Sequence, residues 1–156
     1  MKQTALLIFV FFISDFHLSA QDVIITVRVS SNPDPNNIEN SITLECSRGG
    51  QSCGVASVYE SIIDINPNES VQWVGVSDES GVEVEIKAIR LSGPSNVLRS
   101  GSLGSENGSS RSVNAQAVQA RPSSTVEDKY SFFIMIKDYN VRQWVDPKLR
   151  MRGSTN

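Results

Sequence analysis

Histidine is almost absent from this chain. The only one, His17, lies within the first twenty of its 156 residues. Residues 21–156 therefore cannot form the Ser-His-Asp or Cys-His arrangements in which an imidazole activates a nucleophile. No GxSxG, P-loop or zinc motif is present. The sequence predicts a non-enzymatic protein without a cofactor, and the alternative it leaves open is a carboxylate-dependent enzyme that acts on polysaccharide.

An excess of positive charge is also lacking. The chain has 14 Lys and Arg against 17 Asp and Glu, which gives a formal net charge of −3. Nucleic acids and anionic membranes both attract faces rich in Lys and Arg. The charge balance therefore argues against either as the partner, and leaves an unknown protein or glycan.

No apolar run is long enough to cross a membrane, since a spanning helix needs about twenty apolar residues. The longest run is Ala5–Ile13, which follows Lys2 and precedes a more polar segment ending at Ala20. That layout is typical of a secretory signal peptide. We predict a signal over residues 1–20, no membrane span after its removal, and a secreted or periplasmic protein; the alternative is a buried N-terminal strand or helix.

Cysteine occurs only twice, at Cys46 and Cys53. In an exported protein two nearby cysteines indicate a disulfide, and Gly49 and Gly50 allow the short intervening loop to turn. A metal site is the alternative, but it would need further soft ligands that residues 21–156 do not offer. We predict a Cys46–Cys53 disulfide.

Several segments carry the period-two or β-branched patterns of strands. The clearest is Val82–Ala88, where Val84 and Ile86 alternate with Glu83, Glu85 and Lys87, so the charged side chains are expected to face water. The other predicted strands are Val23–Val29, Ser41–Cys46, Val71–Val76, Val113–Ala117, Tyr130–Ile136 and Val145–Met151. Gly54–Ile63 fits either a helical turn or the start of a strand.

These patterns predict an all-β fold, a two-sheet antiparallel β-sandwich of about seven or eight strands. Residues 21–156 suit a single domain. Its core is expected to contain Trp73, Val84, Ile86, Phe132 and Ile134. More than half of residues 92–111 are Ser or Gly, which predicts a flexible excursion that Leu98 and Leu103 could anchor.

The candidate ligand contacts are aromatic. Trp144 precedes Asp146 and Pro147 near the end of a predicted strand, and exposed Trp and Tyr side chains commonly bind sugars or proteins. Trp144 and Tyr139 are therefore candidate ligand contacts, whereas Trp73 is expected in the core. No catalytic, cofactor or metal residues are assigned.

Two groups of acidic residues are open to a second interpretation. Glu83 and Glu85 share a strand face and could serve the carboxylate enzyme, although alternation alone explains them. The loop segments 34–39 and 78–79 offer oxygen ligands for calcium, but neither has the spacing of a calcium loop, and solvated turns are the simpler interpretation.

Two short runs resemble a known family. Asn66–Trp73 (NPNESVQW) resembles the turn and VxW strand of cupredoxin-like domains, and Tyr130–Ile134 (YSFFI) is similar to their later Tyr-x-Phe-x-Cys strand. The resemblance implies a Greek-key sandwich. The family's copper ligands have no counterparts, because Ser77–Val82 contains no His and the Cys position falls near Ile134; blue copper needs both. The implied scaffold therefore carries no metal and no electron transfer.

Together these observations predict an exported binding or structural module of the periplasm, cell envelope or extracellular space. An immunoglobulin-like sandwich is the competing architecture, but the Cys46–Cys53 spacing does not suit its inter-sheet disulfide.

Overall fold

The structure is a computed structural model that describes residues 23–92, 96–99, 103–118 and 122–152. The predicted signal peptide, residues 1–20, lies outside the described residues. Among those described, no helix has the length and apolar character needed to cross a membrane.

The described residues form an all-β fold of ten strands with two short 3-10 helices. The helices are Ile38–Ser41 and Lys137–Tyr139. The strands are β1 (Val23–Val29), β2 (Ile42–Arg48), β3 (Gln51–Ser57), β4 (Ile62–Asp64), β5 (Ser70–Ser77), β6 (Val84–Leu91), β7 (Ser112–Gln116), β8 (Val126–Ile136), β9 (Val141–Val145) and β10 (Lys148–Met151).

The strands form two sheets. The first sheet has the order β3-β2-β1-β5-β7, and the second has the order β4-β10-β8-β6, with β9 pairing β8 beside β10. The predicted two-sheet sandwich is confirmed. The strand count rises from seven or eight to ten because Gly54–Ile63 holds parts of both β3 and β4, and because Pro147, which lacks an N–H, separates β9 from β10.

The sheets are mixed and not wholly antiparallel. Strand β1 pairs β5 in parallel, and β10 pairs β4 in parallel. The chain leaves β1, forms the β2–β3 hairpin, crosses to the second sheet as β4 and returns as β5 beside β1. Period-two alternation reports which face of a strand is buried but carries no information on strand direction, so the sequence could not show these parallel pairs.

The core lies between the two sheets. All five predicted core residues are buried: Trp73, Val84, Ile86, Phe132 and Ile134. Trp73 is fully buried and its indole N–H donates to the hydroxyl of Tyr130 over 3.0 Å. Burial of its side chain raises the pKa of Tyr130 above its ordinary value of 10.0, although the hydrogen bond from Trp73 acts in the opposite direction, so the phenol stays protonated.

The predicted disulfide is confirmed. Cys46 on β2 and Cys53 on β3 are bonded, with Cα atoms 5.0 Å apart. Cys53 lies at a β-bulge, where the register shifts between Cys46 and Ser47. Closing so short a loop stabilises the fold by roughly 2–3 kcal/mol on the chain-entropy model.

The Ser- and Gly-rich segment is anchored at two of its described positions. Leu98 is fully buried and Leu103 is 9% exposed. The backbone N–H of Ile89 donates to the carbonyl of Leu103 over 2.7 Å, and that of Ser105 donates to the carbonyl of Lys87 over 2.9 Å. The segment that contains Leu103 and Ser105 therefore runs along the free edge of β6.

A polar cluster ties the two sheets together at one end. The carboxylate of Asp64 on β4 accepts hydrogen bonds from Arg150 on β10 at 2.5 Å and from Arg152 at 2.9 Å. The buried carboxylate of Glu69 accepts from Arg48 on β2 at 2.7 Å, and Arg48 also donates to the backbone carbonyl of Asp64 at 2.6 Å.

This cluster predicts loss of stability in acid. Hydrogen bonds from Arg150, assisted by Arg152, hold the pKa of the Asp64 carboxyl below its ordinary 3.8. A carboxyl whose pKa is lower in the folded than in the unfolded state contributes stability that is present above the unfolded value and is lost as pH falls through the folded one. We expect urea midpoints that are nearly constant from about pH 7 to 5 and fall below about pH 4.

Asp64→Asn is the matched variant for this prediction. The amide keeps the shape of the side chain but cannot titrate. The urea midpoint of this variant should therefore fall less steeply than that of the wild type as the pH decreases. Equal slopes for the wild type and Asp64→Asn would contradict the assignment.

Candidate functional site: the outer face of the second sheet

The outer face of the second sheet, the face turned away from the first sheet, carries the partly exposed Trp144. Strand β8 runs through its middle. Phe133 of β8 lies opposite Ala88 of β6 and Trp144 of β9, and Lys129 lies opposite Lys148 of β10. Directly opposite residues in antiparallel strands share a face, so these side chains form successive rows across it.

A depression of about 470 Å³ lies beside Trp144. We call it the tryptophan depression; its lining comprises Ala88, Ile89, Arg90, Gly104, Ser105, Glu106, Asn107 and Trp144. The rings of Trp144 and Phe133 meet edge to face, with ring centroids 5.3 Å apart. The guanidinium of Arg90 lies 4.1 Å from the Trp144 ring centroid and 3.6 Å from a Glu106 carboxylate oxygen.

The wall of this depression is a turn whose position is fixed by the backbone. Gly104 has φ +81°, in the left-handed region that favours glycine, and a Cβ there would lie 2.3 Å from the carbonyl oxygen of Lys87. Asn107 is held from the opposite side, because its side-chain oxygen accepts a hydrogen bond from Arg142 on β9 over 3.2 Å. The polar groups around Trp144 are therefore held by the sheet.

Charged residues are buried next to this depression, which corrects the prediction that Glu85 and Lys87 face water. Their side chains are 5% and 6% exposed, and the Lys87 ammonium lies 3.1 Å from the Glu85 carboxylate. The more exposed Lys137 donates to the other carboxylate oxygen of Glu85 over 3.1 Å. Alternation failed at Lys87 because the strand bulges between Ile86 and Ala88 and because the backbone of Ser105 bonds to that of Lys87. Glu85 lies against Lys87 and Lys137.

The pKa of the Glu85 carboxyl lies below its ordinary 4.5. Burial alone would raise this pKa, but hydrogen bonds from Lys137 and Lys87 outweigh that effect and favour the charged form. Glu83, the other member of the proposed carboxylate pair, forms an ion pair with Arg111. The two carboxylates are therefore held by different basic residues.

A second depression, of about 280 Å³, opens further along β8. We call it the lysine depression; its lining comprises Val58, Tyr59, Ser92, Lys129, Tyr130, Asp146 and Lys148. Tyr59 is 64% exposed, and its hydroxyl donates to the carboxylate of Glu39. Lys129 and Lys148 are directly opposed across the β8–β10 ladder.

Tyr139, the other predicted ligand contact, is placed differently. It packs partly against the core, and its hydroxyl donates to the carboxylate of Glu79. It lines neither depression, and within the described ranges no ring contact or hydrogen bond joins it to Trp144. The structure therefore does not bring the two candidates together.

The acidic loop residues considered for calcium are engaged within the chain. Asp34 accepts a hydrogen bond from the backbone of Asn36, Asp78 pairs with Arg28, and Glu79 binds Tyr139. Across the part of the chain that the structure describes, no group of three or more His, Cys, Asp or Glu side chains could hold a metal ion.

A larger depression of about 690 Å³ is lined by residues of β5, the start of β6 and the start of β7, including Val76 and the Glu83–Arg111 pair. Its described lining has no aromatic ring, and its charged side chains, Glu83 and Arg111, form an ion pair with each other. The tryptophan depression offers an aromatic side chain with convergent polar groups, the combination that ligand sites use.

No family model matches the chain, and no curated protein matches it. Among solved structures, the chain is similar to the inclusion body protein PixA from Burkholderia cenocepacia at 13% identity, with a TM-score of 0.44 over 90% of this chain and 99% of that one.

Proposed function

We propose that this protein is an exported, non-enzymatic binding module whose ligand docks on the outer face of the second sheet. One observation carries the proposal: Trp144 stands half-buried in a depression with Arg90, Ser105, Glu106 and Asn107 converging on it. Partly exposed Trp side chains with nearby hydrogen-bonding groups are typical of sites that bind sugars or proteins.

Export is supported by two features. The first twenty residues have the layout of a cleavable signal peptide, and Cys46 and Cys53 are disulfide-bonded, a state that persists in oxidising compartments such as the periplasm or the extracellular space. The proposed location is therefore secreted or periplasmic.

A scaffold related to cupredoxin-like domains belongs to the same proposal. It is supported by Trp73, Phe132 and Ile134, the residues of the two resembling runs, because all three are buried in the core. The scaffold would serve binding without copper, since the family's ligand positions carry no His or Cys.

The alternative, an enzyme acting on polysaccharide through Glu83 and Glu85, has less support. An acid catalyst needs a raised pKa so that its carboxyl is protonated near neutral pH. The pKa of Glu85 is instead lowered.

The test is a binding screen on glycan and peptide arrays. For any ligand that the wild type binds, we expect Trp144→Ala to reduce the binding signal at least about tenfold. Central aromatic residues dominate the free energy of binding. The matched control is Val76→Ala, which removes a 36% exposed apolar side chain from the first sheet. Its signal should equal that of the wild type.

The opposite pattern would contradict the proposal. If Trp144→Ala binds as the wild type does, or if Val76→Ala loses as much, the ligand does not dock on the outer face of the second sheet. Far-ultraviolet circular dichroism of both variants checks that each remains folded.

A further inference from the structure

Lys129 and Lys148 form an unusual pair on the outer face. They are directly opposed in an antiparallel ladder, where side chains approach most closely and like charges destabilise the sheet. Within the described ranges, neither ammonium group lies within ion-pair distance of a carboxylate. Two positive charges therefore lie side by side without a paired carboxylate, on a chain whose formal net charge is −3.

The surroundings of this pair suit an anionic group. Both lysines line the lysine depression together with the hydroxyl-bearing Ser92 and the exposed ring of Tyr59. Asp146 also lines it, so the two ammonium groups outnumber the single carboxylate. A ligand carboxylate or sulfate placed between the ammonium groups would form charge-assisted hydrogen bonds and relieve their repulsion.

The lysine depression and the tryptophan depression lie in line on the same face. Lys129 precedes Phe133, the residue packed against Trp144, by four positions on β8. Four strand residues span about 13 Å. Arg90, which is paired with Glu106, lies opposite Ser131 between these two rows, so a third basic side chain stands between the two depressions.

From these features we infer that the outer face binds an acidic polysaccharide, whose ring packs in the tryptophan depression while an anionic substituent further along the chain binds between Lys129 and Lys148. The inference rests on the function proposed above. A polysaccharide fits better than a peptide because two aromatic rings, Trp144 and Tyr59, lie along the path, and their apolar faces suit sugar rings.

The experiment compares two forms of one oligosaccharide by titration calorimetry. Oligogalacturonate carries a carboxylate on each ring, and its full methyl ester has the same rings without the charge. The wild type should bind the acid form more tightly than the ester, and this preference should weaken as salt is added.

The decisive variant is the double substitution Lys129→Gln with Lys148→Gln. It should lower the affinity for the acid form at least about tenfold and leave that for the ester unchanged, because only charge-assisted hydrogen bonds are removed. The matched control is Arg99→Gln with Arg111→Gln, which removes the same charge from two exposed residues that line neither depression. This control should bind as the wild type does.

Three results would overturn the inference. The first is equal affinity of the wild type for acid and ester. The second is an equal loss of affinity for the acid form in the two double variants, and the third is no binding of either oligosaccharide. If acid and ester bind equally well, and Trp144→Ala weakens both while the lysine substitutions weaken neither, the acidic ligand is overturned and the proposed function stands. Thermal melts should show that the lysine variant is folded, since it removes a repulsion and no core contact.

Discussion

Glu85→Ala is expected to destabilise the protein by about 3–5 kcal/mol, the usual cost of removing one partner of a buried ion pair. The carboxylate of Glu85 is 5% exposed and lies between the ammonium groups of Lys87 and Lys137. Without it, the Lys87 ammonium remains buried with its nearest countercharge gone. Urea unfolding at neutral pH measures the loss.

Two further variants separate the causes. Glu83→Ala removes a 38% exposed carboxylate that pairs with Arg111, and it should cost no more than about 1 kcal/mol, as surface pairs do. The double substitution of Glu85→Leu with Lys87→Met should recover most of the stability, because apolar residues of similar size can replace a buried pair. Equal losses for Glu85→Ala and Glu83→Ala would show that Glu85 is not buried.

Trp73→Ala is expected to cost about 3–5 kcal/mol, because it leaves a cavity between the sheets. Trp73 is fully buried, and its ring centroid lies 5.6 Å from that of Tyr130. Trp73→Phe should cost less, but it leaves the buried Tyr130 hydroxyl without its donor, a penalty of about 1–3 kcal/mol.

A double-mutant cycle isolates that hydrogen bond. Tyr130→Phe in the Trp73→Phe background removes the stranded hydroxyl, so the double variant should be no less stable than Trp73→Phe alone. Trp144→Phe is the control at a half-buried position on the outer face, and it should cost within about 1 kcal/mol. A Trp73→Ala loss no larger than that of Trp144→Phe would contradict the placement of Trp73 in the core.

The sequence was informative where one local pattern determined burial. Alternation placed Val84 and Ile86 in the core, and the spacing of Cys46 and Cys53 indicated their disulfide. Both depend on residues close together in the chain. Alternation failed on the opposite face of the same strand, because Lys87 lies at a bulge and bonds to Ser105, and neither feature leaves a periodic signal.

The candidate site was predicted only in part. Trp144 could be selected because it is a large aromatic near a strand end. Its partners Arg90 and Asn107 come from distant segments that only the register of β6, β8 and β9 brings together. The Lys129–Lys148 pair depends in the same way on the β8–β10 ladder, and such long-range register is not encoded in any short motif.

The most direct test of the central claim, that the ligand docks on the outer face of the second sheet, is chemical-shift mapping of the isotope-labelled wild type with the ligand found by the array screen. The account predicts that the shifted backbone amides cluster on β6, β8 and β9 around Ala88, Phe133 and Trp144, with those of β1 and β2 unchanged. Shifts that cluster instead on the first sheet would contradict it.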